Sequence, residues 1–191
     1  MVTRFCMRIG LVLMACAYVC ADDEASNVPI VKTDQWGRCY AKSVPNELYG
    51  TKGTTRVYSV QAGEDLLLHP FDWFSKEIYL QCNVGRPNEQ VGTSVVRFGP
   101  WAPGYRAAAG HLAIAFYFRG QLVKQYSTLD IAGSPDNVAF SKSHYRVIRR
   151  VDGYRQRDSN FATFEVLTND GRILAFDPTT GAILSTRKPA P

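Results

Sequence analysis

Apolar positions along this chain fall in short runs separated by clusters of Gly, Pro, Asn and Asp, and no window sustains a 3.6-residue stripe of useful length. That pattern predicts strands. Thr55 to Val60 is β-branched and aromatic, and Asp65 to Phe74 is strongly apolar. Glu77 to Cys82 and Thr93 to Phe98 follow, each bounded by turn-forming residues. Pro70 has no N–H for a ladder, so the strand over Leu66 to Leu68 is expected to end or bulge there. Gly99 to Gly110, rich in Gly and Pro, reads as a long connection inside one domain, with a single helical turn over Arg106 to Ala109.

The second half is the more legible. His111 to Phe118 and Gln121 to Thr128 flank Arg119-Gly120, a tight hairpin. Leu112, Ile114 and Phe116 alternate with Ala113, Ala115 and Tyr117, so both faces are largely apolar and the strand belongs in the middle of a sheet. Tyr145 to Val151 places Tyr145, Val147, Arg149 and Val151 on one face, with Arg146, Ile148 and Arg150 on the other. Phe161 to Thr168, Arg172 to Phe176 and Ala182 to Thr186 form a meander through Asn169-Asp170-Gly171 and Asp177 to Gly181. Ser134-Pro135-Asp136 is the remaining helix-start signal. The expected fold is mainly β, an antiparallel β-sandwich or open barrel of hairpins with little helix.

Gly171 to Gly181 resembles part of a blade in quinoprotein-type β-propellers, through a DG turn, a strand and a D-x-x-T-G turn. The segment occurs once, whereas a propeller needs about four blades or more. The resemblance implies hairpin chemistry and no functional residue.

Residues 1–21 change the composition. Arg4 and Arg8 precede an uncharged apolar run, Ile9 to Val19, which ends at Val19-Cys20-Ala21 and gives way to Asp22-Asp23-Glu24. This is the layout of a secretory signal peptide. The run is shorter than the ~20 apolar residues that span a bilayer. Cleavage after Ala21 is the expected outcome. The alternative is a lipoprotein anchored through Cys16 in Leu13-Met14-Ala15-Cys16, the one route by which this reading brings the chain to a membrane. Residues 22–35 then form a flexible leader, and 36–191 a single β-rich domain with 99–110 as its one internal break.

Removing Arg4 and Arg8 from 22 basic residues leaves 20 against 17 acidic, a net of +3. That small charge and export argue against a nucleic-acid partner. Of five cysteines only Cys39 and Cys82 lie beyond the signal, and an exported pair is expected to form a disulfide.

No GxSxG, HExxH, GxGxxG, phosphate loop or EF-hand loop occurs. Exposed aromatics on a Gly/Pro-rich loop and a run of arginines carry the leading reading. Trp101 and Tyr105 with Arg149 and Arg150 would bind a protein or another envelope component, without catalysis and without a cofactor. Trp73 is assigned to the core. The rival is a small envelope hydrolase or metal protein using His69, Asp72 and His111. A glycan-binding module built on the aromatics is the third option. Nothing in the sequence sets the oligomeric state.

Overall fold

A computed structural model describes residues 24–85, 90–157 and 162–188. The expected signal segment 1–21 and the anchor candidate Cys16 lie outside the described residues, as do Asp22 and Asp23. The strands assemble into four antiparallel sheets. In the first sheet, β1 (Ile30–Thr33), β2 (Cys39–Pro45), β3 (Gly53–Ser59) and β4 (Leu66–Phe71) lie in chain order. In the second, β5 (Ile78–Val84) pairs with β6 (Gly92–Phe98), which pairs with β8 (Leu112–Phe118), which pairs with β9 (Gln121–Ser127). A small third sheet combines β7 (Ala102–Pro103) with β10 (Ala139–Phe140) and β11 (His144–Arg146), β11 being central. The fourth runs β12 (Ile148–Gln156), β13 (Ala162–Thr168), β14 (Ile173–Phe176) and β15 (Ile183–Arg187).

The second sheet lies between the first and the fourth, because alternate side chains feed two separate cores. Ile78, Leu80, Cys82 and Val95 pack with Cys39, Val57, Phe71 and Trp73 of the first sheet and the chain after it. Val96, Phe98, Ile114 and Phe116 point the other way, onto Phe164, Val166, Leu174 and Phe176 of the fourth. Hence both faces of β8 are apolar: it is an inner strand of the middle layer. Cys39–Cys82 joins the first layer to the second as the expected disulfide. On the other side, the buried Ser94 hydroxyl donates to Pro178 O at 2.9 Å, and Tyr154 OH donates to Ser94 O at 3.1 Å. Burial raises the Tyr154 phenol well above its ordinary range, so this link is a neutral hydrogen bond at all physiological pH.

Four expectations need correction. Residues 30–33 of the leader form edge strand β1, paired with β2 from Ile30↔Ser43 to Thr33↔Tyr40, and the buried Asn27 donates to Glu47 O and Gly50 O. The strand through Pro70 does not stop there. β4 reaches Phe71, because it is the edge of its sheet and Pro70 loses no ladder bond, while the register slips earlier, between Val57 and Tyr58. Arg106 to Ala109 is not helical: it is irregular chain after β7, and Ala107 N–H donates to Pro135 O. Ser134 opens only a turn. The described residues hold one helix, α1 (Thr128–Ala132), capped by Ser127. Its capping box is reciprocal: the Asp130 N–H donates to Ser127 Oγ, and Ser127 N–H donates to Asp130 Oδ2. No helix among the described residues is long and apolar enough to cross a membrane.

Candidate functional site

The small third sheet and the start of β12 build one side of the molecule. Ala102 is buried and pairs with Tyr145, so its neighbour Trp101 projects outward and remains 51% exposed. Tyr145 and Val147 are buried in the main core and fix the strand, while Arg146 between them faces solvent. Tyr145 is held by a polar chain: its hydroxyl lies 2.7 Å from His111 Nδ1 and 2.8 Å from Thr128 Oγ1, and Thr128 donates to Ala108 O. At the head of β12 the pairing jumps from Ile148↔Thr168 to Arg150↔Leu167. The bulge puts Arg149 and Arg150 both in solvent, where strict alternation would have sent them to opposite faces.

These elements enclose a cleft of about 230 Å³. Its lining includes Trp101, Arg146, Arg149 and Arg150 with Glu77 opposite. The three arginines differ in state. Arg150 is committed to Asp152, with Nε 2.7 Å from Oδ1, and that bond holds the Asp152 carboxyl below its usual range. Arg146 and Arg149 have no side-chain partner among the described residues. Burial pushes the Glu77 carboxyl up, against the opposing pull of the Tyr79 hydroxyl at 3.2 Å and of Lys32. Tyr79 in turn is pushed up to about 12 by burial and by Glu77.

Tyr105 lies beside the cleft, not in its lining. Its hydroxyl donates to Lys142 O at 2.6 Å, and its ring meets Phe140 edge-on at 5.7 Å. Phe140 is 65% exposed. His144 stacks obliquely beside Trp101, with ring centroids 6.0 Å apart. Together these rings form an exposed aromatic patch contiguous with the arginines, since a second cleft shares Trp101, Tyr145 and Arg146 with the first and adds Phe140 and His144. Trp73 is in the core, 8% exposed, with Arg97 over its ring at 4.8 Å.

The residues of the metal reading have separate surroundings. His69, on β4, lies under the β8–β9 turn, and burial with the nearby Arg119 lowers its pKa. Asp72 is exposed, and His111 is engaged with Tyr145. Among the described residues no group of three or more His, Cys, Asp or Glu is arranged to hold a metal ion.

Trp101, Arg149 and Arg150 therefore share one cleft, with Tyr105 alongside. Arg146 belonged to the arginine run but was not chosen from it, and sequence reasoning missed Glu77 and Phe140. Phe140, a large aromatic directly before the polar Ser141-Lys142-Ser143, had a visible signal. In comparison with known proteins, the chain matches no family model, no curated protein and no solved structure.

Proposed function

We propose that this chain is an exported, non-catalytic β-domain, periplasmic or secreted, that binds a protein or another envelope component through the Trp101 cleft. The observation that carries the reading is the opening of an exposed tryptophan onto the same cleft as two guanidinium groups without side-chain partners among the described residues. A rigid ring supplies apolar contact area at small entropic cost, and a free guanidinium supplies a bidentate donor for carboxylate or phosphate. Binding is favoured over turnover because the cleft's hydroxyls, on Thr128 and Tyr145, are bound into the fold-supporting chain with Ala108 and His111. Export is supported by the N-terminal sequence and agrees with the Cys39–Cys82 disulfide.

The test is retention of the purified chain by an envelope fraction of the producing cell. Trp101→Ala with Arg149→Ala should abolish retention while the melting temperature stays within about 2 °C, as expected for exposed positions. Retention that survives both substitutions refutes the site. The mass of the mature chain tests export: a start at Asp22 supports ordinary cleavage, and a lipidated Cys16 supports the anchored form.

A further inference from the structure

The middle sheet leaves β5 as an unpaired edge, and that edge lies on the side of the molecule that holds the Trp101 cleft. In an antiparallel pair, alternate residues turn their backbone groups toward the partner strand. Phe98 N–H donates to Glu77 O, so Glu77, Tyr79 and Gln81 face β6. Ile78 and Leu80 consequently turn their N–H and C=O groups outward, and among the described residues nothing bonds to them. They open into a groove of about 350 Å³. Lys32 and Thr33 of β1 form one wall, and Asp152 and Tyr154 of β12 form the other. This groove joins the Trp101 cleft at Glu77, which lines both. Its far end is closed: Arg38 Nη2 donates to Cys82 O at 2.8 Å, and the Gln81 amide oxygen accepts from Trp36 Nε1 at 3.2 Å.

We propose that β5 accepts an extended peptide as an added strand, with an acidic group of that peptide meeting Arg146 and Arg149. The inference rests on the reading of the Trp101 cleft as a recognition surface and names its ligand. Outward-facing backbone donors and acceptors at two-residue spacing match another main chain, whereas a sugar has no such repeat. Charge chooses the sequence at one end. Arg150 is neutralised by Asp152, so among the described residues two guanidinium groups without side-chain partners line the cleft against one carboxylate, Glu77. An acid placed at Arg149 is favoured, and one placed farther along would confront Glu77. At ~3.4 Å per residue, about five residues cover Ile78 to Leu80 and reach the arginines.

The test uses the purified chain and a phage library of random linear heptapeptides, whose enriched members are then synthesised. The proposal expects peptides with Asp or Glu at one end. At saturation they should slow amide exchange at Ile78 and Leu80 by at least tenfold. N-methylation of alternate peptide amides should weaken binding by tenfold or more, while methylation of the intervening amides should have little effect. Arg149→Glu should weaken binding at least tenfold. Absence of enriched peptides overturns the proposal. Peptides that need Trp101 and Arg149 but leave exchange at Ile78 and Leu80 unchanged overturn strand addition and leave the cleft reading standing. Peptides that protect Ile78 and Leu80 but ignore Trp101→Ala and Arg149→Glu refute the cleft reading instead.

Discussion

Removing the disulfide tests the layered architecture, because Cys39–Cys82 is the covalent tie between the first and middle sheets. Both cysteines are buried, Cys39 completely and Cys82 to 6% exposure, in the core that those sheets share. The bond closes a loop with a sequence separation of 43. In the chain-entropy account a loop of that length restricts the unfolded ensemble by an amount equivalent to about 4 kcal/mol at 25 °C. Cys39→Ala with Cys82→Ala also removes two buried sulfurs, which adds to the loss. The double variant should therefore lose about 4 kcal/mol or more in urea unfolding, most of a typical domain's margin. Location is the sharper test. Native-state hydrogen exchange should show β2 and β3 losing protection first, while β13 and β14, on the far side of the middle sheet, keep theirs relative to the new global stability. A loss under about 1 kcal/mol, or equal loss of protection in all three layers, would refute the reasoning.

Three further outcomes follow from local chemistry. Ser127→Ala removes one half of the α1 capping box and should cost about 1 kcal/mol by urea unfolding, because the Asp130 N–H then lacks its acceptor. Glu77 has a raised folded-state pKa, so the folded chain binds more protons there than the unfolded chain does. Its stabilising effect is present below the ordinary value of 4.5 and fades as pH rises through the raised folded value. Glu77→Gln should then match wild type near pH 3.5 and be the more stable at pH 7, in parallel urea titrations. Phe116→Ala removes a fully buried ring that lies 4.9 Å from Phe176 and 6.0 Å from Phe164. It should cost about 3–5 kcal/mol, and a cost under 1 would deny that this ring joins the middle and fourth sheets.

The β class, the hairpin at Arg119-Gly120 and the C-terminal meander were legible because local chemistry decides them. Arg119 and Gly120 adopt left-handed φ values of 52° and 79°, as a two-residue turn of this kind demands. The apolar faces of β8 announced an inner strand. The small third sheet was not announced. β7 and β10 are two residues each, and β7 pairs with β11 across some forty residues of chain, as in His144↔Pro103. The helix starts not at Ser134-Pro135-Asp136 but at Ser127-Thr128-Leu129-Asp130, whose capping pattern is legible in the sequence although the helix spans only five residues. At the site, the arginines were visible as a run, yet which of them stay free depended on Asp152 capturing Arg150 and on a bulge that no alternation rule foresees. Glu77 was invisible as a site residue, since only stacking of the sheets brings the start of β5 against β11 and β12.

The central claim is that the Trp101 cleft is the recognition surface. Site-specific photo-crosslinking in the producing cell measures it most directly, with a photoreactive residue placed at Trp101 and, separately, at Tyr49, which is equally exposed. The account predicts a discrete adduct from position 101 that disappears when Arg146 and Arg149 are both changed to Glu, and no such adduct from position 49. Equal labelling from both positions, or an adduct at 101 that is indifferent to the two arginines, would contradict it.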